Sequence, residues 1–328
     1  MTSNAPGSYL TGLVGSGIGP SLSPPLHERE ADRHGLRLLY RTIDLEALPW
    51  PPGLRVPGGG TGGIPDGGTG DGGADVPGGG AGPGLAAGRL LHAARTVGFD
   101  GLNITHPCKQ SVVPHLDELS SEAAELGAVN TVVLRAGTAV GHNTDVTGFR
   151  KSFTRGLPGA PLRRVVQLGA GGAGAAVSHA LLGLGTDRLV VVDTDTDRAG
   201  RLAASLAGRF GEDRVTAAGR SVLEGELAGA DGLVNATPVG MAAHPGTPVP
   251  EGFLHPGLWV AEVVYRPLET ELLRRARRIG CRTLDGGAMA AFQAADAFRL
   301  FTGLEPHTGR MLQDLADLVG APAGAARG

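Results

Sequence analysis

Val165-Val166-Gln167-Leu168-Gly169-Ala170-Gly171-Gly172-Ala173-Gly174 decides how this chain folds. A short apolar, β-prone run leads straight into Gly-x-Gly-x-x-Gly. Helical periodicity follows as far as Leu184, with Ala173, Ala176, Val177, Ala180, Leu181 and Leu184 on one face. In this strand–turn–helix setting each glycine has its own task. Gly169 permits the tight turn, Gly171 lets backbone approach a pyrophosphate, and Gly174 allows close helix–sheet packing. The helix start around Ala170, Gly172 and Ala173 then presents free N–H groups and the positive end of the helix dipole to phosphate. The next strand, Leu189–Val192, ends in Asp193, 24 residues after Gly169. A carboxylate there accepts hydrogen bonds from adenosine ribose hydroxyls and repels a 2′-phosphate. Arg198 is within reach of a phosphate, but Asp193, Asp195 and Asp197 surround it. The pattern therefore points to NAD rather than NADP.

Outward from that stretch the chain keeps alternating. Strands are expected at Arg214–Ala217, Gly232–Asn235, Trp259–Val264 and Cys281–Leu284. Helices are expected over Arg198–Phe210, Val222–Leu227, Thr270–Ile279 and Ala288–Leu300. This is the pattern of a doubly wound α/β domain. Leu157–Leu162 reads as a linker. On its N-terminal side lie β-prone Tyr9–Val14, Leu38–Ile43 and Gly101–Ile104, and a hairpin through Asn130–Leu134 and Ala139–His142. Helices are expected over His27–Gly35, Leu85–Val97 and Glu118–Leu126, and Asp145 stands where it can cap the next one. Between Pro51 and Gly88, 17 of 38 residues are glycine. Such a composition cannot bury enough apolar surface to offset its ordering entropy, so residues 51–88 read as a flexible surface insertion.

The bulk properties narrow the function. A chain of 328 residues suffices for two domains, and a formal charge of −3 gives no field that draws it to nucleic acid or anionic lipid. Two cysteines, Cys108 and Cys281, supply neither a disulfide framework nor zinc spacing. His106, Cys108 and His115 follow no metal motif, so no metal is expected. No secretory leader or membrane span is legible, which points to a cytoplasmic protein, monomer or homodimer. Only two of the 29 basic residues are lysines. One of them, Lys109, lies in Gly101-Leu-Asn-Ile-Thr-His-Pro-Cys-Lys109, upstream of Asn130-Thr131 and Asn143-Thr144-Asp145. Arginine keeps its proton in proteins whereas a lysine amine can be tuned to give it up. An amine, a carboxylate and several amides and hydroxyls suit a small polyhydroxylated acid.

The motifs Ser21-Leu-Ser23-Pro-Pro-Leu-His27, Asn103-Ile-Thr105-His-Pro-Cys-Lys109, Gly127-Ala-Val-Asn130-Thr131 and Asn143-Thr-Asp145 occur in that order. Gly169 to Gly174, Asn235-Ala-Thr-Pro-Val-Gly-Met241, Tyr265-Arg-Pro-Leu-Glu-Thr270, Gly286-Gly-Ala-Met289 and Gln293 continue the series. In this the chain resembles the shikimate/quinate dehydrogenases over nearly all of its length outside residues 51–88. The resemblance implies a substrate-binding and catalytic domain over residues 1–156 and a Rossmann-type cofactor domain over 157–285. A helical segment over 286–328 would pack back on the first domain. It implies Lys109 and Asp145 as the acid–base pair, and Ser21 and Ser23 as hydroxyls for the substrate carboxylate. Thr105, Asn130 and Gln293 would hold ring hydroxyls and Tyr265 would line the cleft. Thr237, Met241, Val264 and Gly286 would join Asp193, Arg198 and the glycine-rich loop along the cofactor.

Where typical NADP-dependent members resemble Asn-Arg-Thr, this chain has Asp193-Thr194-Asp195. That departure resembles the NAD-linked branch. The expected activity is NAD-dependent oxidation of the C3 hydroxyl of quinate or shikimate. The alternatives are an NADP-dependent biosynthetic enzyme, an aminoshikimate or aminoquinate dehydrogenase, and a quinate- or shikimate-binding sensor.

Overall fold

The computed structural model describes residues 7–49 and 83–320, which form two six-stranded sheets with helices packed on them. The first sheet contains β1 (Ser8–Gly15), β2 (Arg37–Asp44), β3 (Gly101–Ile104), β4 (Glu118–Leu119), β5 (Thr131–Arg135) and β6 (Thr138–His142). Its order is β2-β1-β3-β5-β6-β4. The β2, β1 and β3 strands run parallel, and β3, β5 and β6 alternate in direction. The second sheet contains β7 (Arg164–Leu168), β8 (Arg188–Val192), β9 (Val215–Ala218), β10 (Gly232–Asn235), β11 (Trp259–Glu262) and β12 (Arg282–Leu284). It is parallel throughout, in the order β12-β11-β10-β7-β8-β9. The order reverses beside β7, the position at which such sheets open a crevice for a dinucleotide. The mixed α/β architecture with a doubly wound second sheet is the one the sequence implied.

Helices α1 (Ser23–Arg33), α2 (Pro83–Thr96), α3 (Cys108–Ser111), α4 (Ser121–Leu126) and α5 (Thr144–Gly156) accompany the first sheet and lead out of it. The second sheet carries α6 (Gly172–Gly183), α7 (Thr196–Phe210), α8 (Leu223–Ala228) and α9 (Glu271–Ile279). The α10 (Gly287–Thr302) and α11 (Thr308–Gly320) helices follow. Several boundaries differ from the sequence reading. The first helix begins at Ser23 instead of His27, because Pro24 and Pro25 fall in its opening turn, where their missing N–H groups cost nothing. Glu118 and Leu119 pair with β6, and Ser120 caps α4 by accepting from Ala123 N–H. The cap of α5 is Asn143, whose side-chain oxygen accepts from Asp145 N–H, so Asp145 sits in the first turn instead. Residues 51–82 of the glycine-rich stretch lie outside the described residues, and 83–88 form the start of α2, with Ala86 and Ala87 buried. Among the described residues no helix is long and apolar enough to cross a membrane.

Val146, Phe149 and Phe153 of α5, with Leu157 just past its end, lie in the core of the second sheet, beside Val165, Leu181, Leu189 and Trp259. Phe153 meets Trp259 edge-on with ring centroids 4.9 Å apart. Each such buried side chain stabilises the fold by roughly 2–3 kcal/mol. In contrast, Ala291, Ala294 and Ala295 of α10 pack with Leu22, Leu26, Met311 and Leu315 on the side of the first sheet. The two helices press together at Gly148, where a β-carbon would come within 3.0 Å of Gln293 Cβ and of the Met289 carbonyl. Buried Asp296 rivets the seam by accepting from Thr147 Oγ1 (2.6 Å) and Lys151 Nζ (2.6 Å). Further round, Glu125 of α4 meets His179 of α6 at 2.9 Å. Fully buried Glu30 accepts from Arg33 Nη1 (2.9 Å) and meets His34 (3.1 Å) and His307 (3.0 Å), which ties the approach to α11 onto α1.

Candidate active site

Lys109 lies on α3, a single turn after β3 whose outward carbonyl at position 109 is fixed by Val129 N–H at 2.8 Å. Its Nζ donates to Asp145 Oδ2 at 2.6 Å, and both side chains are largely covered. Asp145 is placed by the opening turn of α5, an end whose dipole favours a carboxylate. On its other side the lysine stem reaches the glycine-rich loop, since a β-carbon on Gly172 would lie 3.3 Å from Lys109 Cδ. The pair thus stands between the two sheets and faces the loop expected to hold a dinucleotide.

Next to this pair runs a series of polar side-chain contacts. Ser21 Oγ reaches Ser23 Oγ at 3.3 Å, and the Ser23 hydroxyl bonds the Tyr40 phenol. Tyr40 donates to Asn103 Oδ1 (2.7 Å), and Asn103 Nδ2 donates to Thr131 Oγ1 (3.0 Å). Thr131 donates to Asn130 Oδ1 (3.1 Å), Asn130 Nδ2 to Thr144 Oγ1 (3.0 Å), and Thr144 reaches Gln293 Oε1 (3.5 Å). Expected ligands Ser21, Ser23, Asn130 and Gln293 are therefore joined by Tyr40, Asn103, Thr131 and Thr144. The motifs contain Asn103, Thr131 and Thr144 but assign them no role, and the sequence marks Tyr40 only as part of a strand. A polar side chain at Tyr40 in β2 and at Asn103 in β3, each within an apolar, β-prone run, is the signal for two of them. Burial raises the Tyr40 and Tyr265 phenols above their ordinary range.

Tyr265 packs on the cluster of Leu22, Leu26 and Met311, and its neighbour Arg266 donates from Nη1 to the Pro20 carbonyl at 2.6 Å. The turn before Ser21 is thereby strapped to the second sheet. Thr105 closes the back of this turn, with its methyl where a β-carbon on Gly15 would stand.

Along the second sheet Gly169 adopts φ +97°, a conformation open to glycine, and a β-carbon on Gly174 would fall 2.2 Å from the Gly169 carbonyl. Gln167 locks this loop from below, donating to the Gly169 and Gly174 carbonyls at 2.9 Å each. Asp193 ends β8 and is buried. Its Oδ2 accepts from Ala170 N–H (2.7 Å) and Arg198 Nε (3.2 Å), and its Oδ1 from Asp195 N–H (2.9 Å) and Arg198 Nη2 (2.6 Å). Burial pushes this carboxyl up, but the Arg198 guanidinium and the two N–H groups outweigh it and hold the pKa at about 2. Arg198 is thus laid along Asp193, a pairing the spacing of five had not suggested. Thr237 lies beside Gly169, Val264 is buried, and a β-carbon on Gly286 would strike the Val263 carbonyl at 2.3 Å. Met241 is 41 % exposed, on the outer flank of the turn after β10.

Comparison with known proteins places the chain in a family. Residues 86–132 match the family model of the shikimate dehydrogenase substrate binding domain. A shikimate dehydrogenase (NADP) of Streptomyces avermitilis is 60% identical over 316 residues, which is 96% of this chain and 98% of that one. A quinate/shikimate dehydrogenase (NAD) of Corynebacterium efficiens is 46% identical over 305 residues, 93% of this chain and 96% of its own. The structure of quinate dehydrogenase from Corynebacterium glutamicum in complex with NAD superposes with a TM-score of 0.79 at 46% identity, covering 94% and 99% of the two chains. This chain belongs to the shikimate dehydrogenase family.

Proposed function

From that membership we propose that the protein oxidises a ring hydroxyl of quinate or shikimate, at C3, to the 3-dehydro acid, with NAD as hydride acceptor. The observation that carries this reading is the Lys109–Asp145 pair at 2.6 Å with the lysine stem against Gly172. Oxidising a secondary alcohol requires a base for the O–H proton while the C–H hydrogen leaves as hydride. Nicotinamide, when bound, supplies the hydride acceptor. Lys109 takes the proton, and Asp145 orients the lysine and bonds the reacting or neighbouring hydroxyl. In the reverse direction the lysine ammonium returns that proton to the developing alkoxide. Ser21 and Ser23 hold the substrate carboxylate, and Asn130, Thr105 and Gln293 hold ring hydroxyls.

Asp193 supports NAD, since its carboxylate neutralises Arg198 and would repel a 2′-phosphate. The 60% identity to a relative named for NADP favours a second reading, an NADP-linked shikimate dehydrogenase. Steady-state rates with quinate, shikimate and aminoshikimate, each with NAD and with NADP, separate the two readings. Turnover with quinate or shikimate and NAD is expected. Preference for NADP overturns the cofactor assignment, preference for the amino acid substrate moves the protein to secondary metabolism, and binding without turnover makes it a sensor.

A further inference from the structure

We propose that Glu262 is a positioning residue that fixes, through Asn235 and Val264, the wall against which the nicotinamide end of the dinucleotide rests. This builds on the oxidoreductase reading above. Glu262 ends β11 and is 2% exposed, in a chain where carboxylates are otherwise paired with arginine, lysine or histidine at most buried positions. Its partners are all neutral. Oε1 accepts from Asn235 Nδ2 (2.8 Å), Val263 N–H (3.1 Å) and Val264 N–H (3.2 Å), and Oε2 accepts from Thr270 Oγ1 (3.1 Å). Charges do not place this group; directional hydrogen bonds do.

Asn235, at the end of β10, passes the constraint on. Its Nδ2 also donates to the Val239 carbonyl (2.9 Å), while Oδ1 accepts from Thr237 N–H (3.1 Å) and Thr237 Oγ1 (2.6 Å). Thr237 Oγ1 in turn accepts from Val239 N–H (3.2 Å). The Thr237 methyl lies against Gly169. One carboxyl therefore sets both the turn after β10 and the stretch after β11. Between them they carry Thr237, Met241 and Val264, and the second leads directly into Tyr265 on the substrate side.

Burial pushes the Glu262 carboxyl up to about 7 against the pull of its four hydrogen bonds. Protonation leaves the three donors on Oε1 in place and reverses the fourth bond, because the Thr270 hydroxyl, which also accepts from Leu273 N–H (3.3 Å), can accept from Oε2–H. Glutamine fits the same pattern, with its carbonyl towards Asn235, Val263 and Val264 and its amide towards Thr270. Leucine leaves three donors, on Asn235 Nδ2, Val264 N and Thr270 Oγ1, without that acceptor, while Val263 N–H keeps the Asn235 carbonyl at 3.0 Å, and aspartate withdraws the acceptors by one methylene.

The test is fluorescence titration with NADH and with NADPH, alongside KM for the hydroxy acid and a thermal melt, on the intact chain carrying Glu262→Leu, Glu262→Asp or Glu262→Gln. Leu and Asp variants should weaken binding of the preferred dinucleotide by roughly tenfold, the equivalent of about one buried hydrogen bond to a charged group. KM for the acid should stay within about threefold, and Glu262→Gln should restore dinucleotide binding. If the Leu variant fails to fold, Glu262→Asp and Glu262→Gln carry the comparison. A folded Asp variant that loses acid and dinucleotide affinity equally, or a Gln variant as impaired as it, overturns the proposal. Should wild type bind NADH or NADPH yet turn over no hydroxy acid, the reaction assigned above fails while the titration still judges Glu262.

Discussion

Asp193→Asn separates the two things that carboxylate does. In the structure each oxygen serves one backbone N–H, Ala170 on Oδ2 at 2.7 Å and Asp195 on Oδ1 at 2.9 Å, and both receive Arg198. An amide has one acceptor, so one backbone donor meets an NH2 group and the guanidinium loses its counter-charge. A carboxyl brought from 3.8 to about 2 by folding contributes on the order of 2 kcal/mol at neutral pH. Because the folded value is depressed, that contribution is complete above pH 4 and disappears as pH falls through 2. The melting temperature of the variant should therefore lie roughly 4–8 °C below wild type at pH 7, with the gap narrowing below pH 4. The cofactor effect has the opposite sense. Removing a negative charge from the ribose site and releasing Arg198 for a phosphate gains about 1.5–3 kcal/mol for NADP, or roughly 10- to 100-fold in the ratio of kcat/KM for NADP over NAD. Adding Thr194→Arg should push the ratio further. A ratio that moves by less than about threefold, or a wild type that already prefers NADP, refutes the reasoning about Asp193.

Lys109→Ala should lower kcat by roughly 10²- to 10⁴-fold with dinucleotide affinity nearly intact, as single-turnover rates and NADH titration will measure. Unchanged turnover removes the base assigned to it. Gly174→Ala drives a β-carbon to within 2.2 Å of the Gly169 carbonyl, backbone that Gln167 holds in place. Dinucleotide Kd should rise by roughly tenfold or more, and an unchanged Kd would mean the loop relaxes freely. Arg266→Ala cuts the strap to the Pro20 carbonyl. KM for the hydroxy acid should rise roughly three- to tenfold while KM for the dinucleotide holds, and the reverse split would place Arg266 with the cofactor instead.

Much of this was legible because it is periodic or local. The alternation after Leu162 and the glycine spacing at 169–174 announce a parallel sheet and its turn, since both follow from rules acting over a few residues. The pairing of Lys109 with Asp145 depends on where two separate elements arrive, and resemblance supplied it before geometry did. The Arg198 contact is not legible because three alternating acids, Asp193, Asp195 and Asp197, suggest repulsion of phosphate, while nothing local indicates that an arginine five positions on will fold back along the first of them. Glu262 was invisible for the same reason. It reads as the end of a strand, and its four partners come from three places in the chain. The start of α1 was hidden by Pro24-Pro25, which looks like a breaker and acts as a first turn. Nothing in Thr308–Gly320 was assigned beyond a helical segment, although Met311, Leu315 and Leu318 repeat at helical intervals and are buried.

The seam between α5 and α10 has a mechanical corollary. The backbone leaves the first sheet along one of these helices and returns along the other, and Asp296 and Gly148 keep them side by side. Two helices pinned side by side form a single column between the sheets, so a substitution that loosens either pin would be felt in both. Asp145 and Gln293 belong to that column, whereas Gly172 and His179 belong to α6 on the second sheet. The Lys109 stem against Gly172 and the Glu125–His179 pair brace the same two sheets away from that column.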